Sequence, residues 1–180
     1  NSLIGVDAGI SVDCVSGTDT RNCLIHGNRI HRTARANTSF AIRAGIGTQT
    51  MNNVSIQKNM ITGVMGIQTG SAIELNMGGP AYRGYDSAVI DNIIDMDDPC
   101  QLMYSNQQIR PKISGNQFKC GGDLASPDVI RMMFIIETTK AEVSNNKFIY
   151  GIGGLNVSLR GIQTSGTVTA NRYEGNCFEL

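Results

Sequence analysis

Val143-Ser144-Asn145-Asn146-Lys147-Phe148 decides the fold, because the chain keeps returning to its form. Ile25-His26-Gly27-Asn28-Arg29-Ile30, Ile56-Gln57-Lys58-Asn59-Met60-Ile61 and Val89-Ile90-Asp91-Asn92-Ile93-Ile94 share it. So do Ile113-Ser114-Gly115-Asn116-Gln117-Phe118 and Val168-Thr169-Ala170-Asn171-Arg172-Tyr173, and Asn1-Ser2-Leu3 reads as the tail of a further copy. The unit is a β-branched residue, two variable residues, Asn, one variable residue and a large apolar residue. From Asn1 through Asn171 the successive Asn residues lie 27, 31, 33, 24, 30 and 25 positions apart. A period of this size is the signature of a stacked repeat.

The interior of the unit specifies strands. The β-branched residue and the position two before it (Cys23, Val54, Ala141) alternate with period 2 and so share one strand face. Asn accepts left-handed backbone geometry, and its amide bonds neighbouring main chain, which suits a corner. Repeated once per coil, such a corner stacks its amides into a ladder, each donating to the next amide oxygen. The expected fold is all-β: a right-handed parallel β-helix of about seven coils with an Asn ladder at one corner, the hand following the rule for parallel crossovers.

Composition agrees. The 180 residues fit one domain, 1–180, and a solenoid buries its core between coils rather than in a globular centre. Net charge is +0 and Trp is absent, which gives no reason to expect a nucleic-acid partner. No run of about 18 apolar residues is present, so no membrane insertion is expected. The chain opens within a coil and stops as a strand begins, which reads as part of a longer protein. Its five cysteines form no Cys-x-x-Cys pair, so neither a disulfide framework nor a zinc site is expected, and no cofactor or metal. Reduced thiols suit assembly in a reducing cytosol.

Along the chain, Ile10 and Val12 alternate inward with Ser11 and Asp13 outward, and Phe40-Ala41-Ile42-Arg43 places Ala41 and Arg43 outward. Arg29, Arg32 and Arg35, with His26 and His31, read as a solvated basic loop. Ile73 lies as far past Asn59 as Ile42 past Asn28, so Glu74 stacks beside Arg43 on one outer face. The loop from Met77 to Asp86 is longer than a bare solenoid needs, and long loops on a repeat protein are where binding concentrates. No Gly-x-Ser-x-Gly, His-Glu-x-x-His or calcium nonapeptide pattern is present.

The repeated Ile/Val-x-x-Asn-x-apolar corner, followed by Gly-Ile-x-Val or Gly-Leu-x-Val, resembles the pectate-lyase superfamily of parallel β-helices. Its irregular coil lengths and reduced thiols are most similar to the bacteriophage tailspikes within it. The polygalacturonase signatures Asn-Thr-Asp, Gly-His-Gly and Arg-Ile-Lys are absent. The resemblance implies a protein that binds and cleaves a bacterial surface polysaccharide, a glycoside hydrolase in preference to a lyase or epimerase. It further implies a homotrimer on the virion surface, or another extracellular setting. A non-catalytic β-helical stalk or adhesin segment is the alternative.

Glycoside cleavage requires two carboxyl groups, roughly 5–5.5 Å apart for retention or roughly 6.5–9.5 Å for inversion. Glu74 is the leading candidate, outward on a regular strand beside Arg43 and the long loop. Asp13, Asp97, Asp98 and Glu137 are its candidate partners; Arg43, Asn76, Tyr82 and Tyr85 are candidate substrate contacts. A solvated charge or an Arg43–Glu74 ion pair is the competing reading.

Overall fold

The computed structural model describes residues 1–4, 9–14, 19–33, 40–47, 50–64, 71–77, 81–98, 100–121, 129–151 and 158–179. Their regular elements are all strands, and every strand pairing is parallel. Each coil passes in turn along four faces. The first face stacks Ser2–Ile4, Arg29–Arg32, Met60–Gly63, Ile93–Met96, Gln117–Cys120, Lys147–Tyr150 and Cys177–Glu179. The second stacks the longer strands Ile10–Cys14, Phe40–Gly47, Ser71–Asn76, Gln101–Asn106, Val129–Ile136 and Ser158–Ser165. The third holds only two-residue strands, such as Met51–Asn52 and Gly84–Tyr85. The fourth holds three-residue strands, from Leu24–His26 to Arg172–Glu174.

The chain is therefore a parallel β-helix, with seven strands on the first face, six on the second and fourth, and four on the third. A coil with a strand on all four sides occurs four times, so the expected count of about seven belongs to the first face alone.

The ladder occupies the corner between the fourth and first faces. Side-chain amides link Asn1 to Asn28, Asn59, Asn92, Asn116, Asn146 and Asn176 in sequence, at 2.9–3.2 Å. Each internal rung is saturated. Asn59 Nδ2 donates to Asn92 Oδ1 and to the Ile25 carbonyl, while its Oδ1 accepts from both the main-chain N–H and the side chain of Asn28. Using every donor and acceptor lets the amide sit inside, since a buried amide lacking partners is strongly unfavourable.

Two expectations are corrected here. The last rung is Asn176, not Asn171; Asn171 lies at the neighbouring corner, where its Oδ1 accepts from the Ala141 N–H. Nor do the ladder asparagines supply the left-handed turn. That conformation falls on the residue before each of them: Gly27, Lys58, Asp91, Gly115, Asn145 and Gly175. The asparagine is selected for its amide, not for its φ.

On either side of the ladder, like side chains stack inward. One column runs Leu3, Ile30, Ile61, Ile94, Phe118, Phe148 and Phe178; another runs Ile25, Ile56, Val89, Ile113, Val143 and Tyr173. Phe118–Phe148 and Phe148–Phe178 stack at 5.2 and 4.9 Å between ring centres. Full burial of such a side chain contributes about 1.5–3 kcal/mol. Ala41 is also interior, fully buried beside Ile42, where alternation had placed it outward. The adjacent buried pairs Ala72–Ile73, Leu102–Met103 and Met132–Met133 show the same break in alternation on the second face.

Candidate functional site

The second face carries the chemistry, because its strands are long enough to hold several outward positions. Strict register turns those positions into columns. Arg43 pairs with Glu74, Glu74 with Tyr104, Tyr104 with Phe134, and Phe134 with Gln163, one residue per coil. Ser11 precedes Arg43 at the same level. With strands about 4.8 Å apart, the column is a straight track of cation, carboxyl, two aromatic rings and an amide.

Its electrostatics follow from partial burial. The Glu74 carboxyl is pushed up by removal from water and pulled back, to a lesser extent, by the Arg43 charge. Tyr104 is likewise raised, first by burial and then by the charges of Glu74 and Glu137. The strand of Tyr104 lies between that of Glu74 and the one that Glu137 follows. Glu137 follows the next strand, in left-handed geometry (φ 44°), and accepts from Gln107 Nε2 at 3.3 Å. Tyr104 and Phe134 meet at 6.1 Å with their rings tilted by 52°, and the Arg131 guanidinium lies 5.1 Å over Phe134 while its Nε donates to Gln163.

The sequence-derived candidates separate into two groups. Arg43 and Glu74 are register neighbours, as expected, and Glu137 joins them across Tyr104. Asp13 stands nearer Arg43, its Oδ1 3.7 Å from Nη2, so it competes with Glu74 for that cation. Arg43 also stacks over Phe40 at 4.1 Å. Asn76 ends its strand and accepts from Asn106 Nδ2 at 3.2 Å, a second short ladder beside the track.

The remaining candidates lie elsewhere. Asp97 is exposed at the corner leading from the first face to the second. Asp98 is buried, and its charge acts on the interior thiol of Cys100 together with that of Arg32. Tyr82 packs against the core, and Tyr85 lies on the third face with Arg110 5.9 Å from its ring. Both tyrosines lie within the expected Met77–Asp86 loop, in which the structure places the short strand Gly84–Tyr85 and whose residues 78–80 lie outside the described set. Arg32 is not solvated: it is 1% exposed, and its Nη1 donates to the Phe40 carbonyl at 2.8 Å. Arg35 of the expected basic cluster lies outside the described residues.

Tyr104, Phe134, Arg131 and Gln163 were not singled out from the sequence. The signal was available, since stepping about one repeat at a time from Glu74 lands on Tyr104 and then Phe134.

Fold and site together define a parallel β-helix with an aromatic and carboxylate track along one face. No protein-family model, curated protein or solved structure matches the chain.

Proposed function

We propose that the protein binds and cleaves a bacterial surface polysaccharide in the manner of a bacteriophage tailspike, as a glycoside hydrolase. The observation that carries the reading is the register column Arg43–Glu74–Tyr104–Phe134–Gln163. A sugar polymer laid along it meets aromatic faces at Tyr104 and Phe134, which pack on the apolar faces of pyranose rings. Glu74 is the general acid. Its burial favours the protonated form, and a protonated carboxyl delivers its proton to the glycosidic oxygen as the bond breaks.

Glu137 is the opposing carboxylate, which takes a proton from the attacking water. It follows the strand two coils beyond that of Glu74, two steps of about 4.8 Å. That rise alone lies at the long end of the roughly 6.5–9.5 Å of inverting enzymes, so the two side chains must lean toward each other over Tyr104 to hold a water between them. In this reading the protein works outside the bacterial cell, on the virion, as a homotrimer of β-helices.

A reducing-end assay on a panel of capsular and O-antigen polysaccharides, using the full-length protein, tests the proposal. Cleavage by the wild type that Glu74→Gln abolishes, with binding retained, is the expected result. Binding without cleavage by the wild type would retire the hydrolase and leave a glycan-binding stalk or adhesin. That second reading draws on the charges of Glu74 and Glu137 both acting on Tyr104 and on Arg43 offsetting the charge of Glu74.

A further inference from the structure

Among the described residues, two arginines on the same face have no ion-pair partner. Arg131 and Arg160 are register partners on adjacent strands, so their side chains leave the sheet one coil apart. Like charges directly opposite one another in a sheet are destabilising. Elsewhere the exterior places opposite charges at such positions: Asp95 with Lys119 (3.0 Å) and Lys112 with Glu142 (3.4 Å). Among the described residues neither Arg131 nor Arg160 forms an ion pair. Arg131 is instead held by Gln163, at 2.7 Å from its Nε, and by the ring of Phe134. This fixes one guanidinium edge and leaves the Nη groups free to donate. Arg160 is exposed beside it.

We infer that Arg131 and Arg160 form an anion subsite, which receives the carboxylate or phosphate of an acidic sugar unit seated on Phe134. The inference rests on the glycan reading above and specifies its substrate as an anionic polysaccharide. Guanidinium groups fit these anions because their planar N–H edge matches two oxygens at once. The strand bearing Arg131 is two coils from that bearing Glu74, so the acidic unit sits about 9.6 Å along the track from the acid, two steps of the strand spacing.

Affinity electrophoresis of the full-length protein tests this, with four gel-embedded probes. These are a uronate-containing capsular polysaccharide, its carboxyl-reduced form, a phosphodiester-linked capsular polysaccharide and its dephosphorylated form. Retardation by one or both anionic probes, lost on neutralising that probe, is expected, and the probe that retards identifies the anion. Arg131→Gln/Arg160→Gln should weaken retardation about tenfold or more, the loss of a charged hydrogen-bonding pair. Arg29→Gln, an exposed cation on the first face, should leave it unchanged. Equal retardation by anionic and neutral forms, or an unaffected double variant, overturns the anion subsite while sparing the glycan reading. Absence of retardation by all four probes and by the neutral members of the wider polysaccharide panel overturns both.

Discussion

Asn116 Nδ2 donates to Asn146 Oδ1 at 2.9 Å, and the main-chain N–H of Asn116 reaches the same oxygen at 3.1 Å. Asn116 also bonds the Val89 carbonyl, and its Oδ1 receives both donors of Asn92. Asn116→Ala keeps the main-chain bond but removes the rest at a buried position, leaving the Asn92 donors and the Val89 carbonyl without these partners. The expected loss is about 3 kcal/mol or more, at about 1–3 kcal/mol per orphaned group. A fall in urea midpoint at unchanged m reads it. Asn116→Asp is expected to be comparably unstable at neutral pH, because its carboxylate cannot donate to Asn146 Oδ1, and to recover partly on acidification.

Asn171 marks the contrast, and shows what the sequence made legible. Its Oδ1 accepts from the Ala141 N–H and it is only partly buried, so Asn171→Ala should cost only about 1 kcal/mol. Equal losses for the Asn116 and Asn171 variants would sink the assignment of the last rung. Val168–Tyr173 satisfies the letters of the repeat, and Ala170 even takes the left-handed turn (φ 54°), but Asn171 stands at the corner that enters the fourth face rather than the one that leaves it. Gly175-Asn176-Cys177-Phe178 repeats Gly27-Asn28-Arg29-Ile30 and Gly115-Asn116-Gln117-Phe118, with Gly at the left-handed position, and that pattern was readable. The burial of Arg32 was not. Arg32 donates to the carbonyls of Phe40 and Val64, groups that every residue carries and no sequence pattern marks. The pairing of Glu74 with Arg43 was readable because register propagates the ladder spacing. The place of Glu137 just past the end of its strand was not, because it depends on where a strand ends.

The Glu74 carboxyl gives a pH dependence of known sign. Burial raises it above its ordinary value of 4.5, so the folded state holds this proton more tightly than the unfolded chain. Its contribution to stability is fully present below 4.5 and is lost as pH rises through the folded value. Glu74→Gln should remove that decline, so the wild-type and variant stability curves diverge as pH increases from 4.5 towards neutrality. Urea titrations across this range provide the check; parallel curves would contradict the burial argument.

Asp86 should behave in the opposite sense. Arg110 grips it through two hydrogen bonds of 2.7 Å and holds its carboxyl below the ordinary 3.8. The resulting stability is present above 3.8 and disappears as pH falls through the depressed value. Both side chains are about half exposed, so the effect is expected to be small and weakened by salt. Asp86→Asn should lower the urea midpoint slightly at neutral pH and leave it unchanged at the acid end. A larger loss in acid would reverse the assigned sign.

The thiols should separate by burial. Cys177 is exposed, whereas Cys100 and Cys120 are buried and the Cys120 thiol is pushed up to about 11 by desolvation. A thiol that stays protonated and out of reach is a poor nucleophile. Native labelling with iodoacetamide at pH 8, read by peptide mass spectrometry, should modify Cys177 first, Cys23 more slowly, and Cys100 and Cys120 only in denaturant. Prompt native labelling of Cys120 would show that the interior between the first and second faces opens.

Gly63 and Gly27 both have positive φ, 101° and 67°, so alanine at either site bears a backbone penalty of about 1–2 kcal/mol. They differ in what a side chain would meet. A Cβ at Gly27 meets nothing within 4 Å, whereas one at Gly63 lies 2.0 Å from the Arg32 carbonyl oxygen of the preceding coil. That carbonyl accepts the Val64 N–H at 3.1 Å, and Arg32 itself bonds the Val64 and Phe40 carbonyls. Separating the two coils therefore strains the main-chain pairing and the anchoring of a buried cation together. Gly27→Ala should cost no more than the backbone penalty, while Gly63→Ala should cost about 3 kcal/mol or more, the added part being steric. Because the conformational penalty is common to both, the difference in their urea midpoints isolates the contact between coils. Equal losses would mean that the coils can move apart at Arg32 without consequence, and that its burial is not held by close stacking.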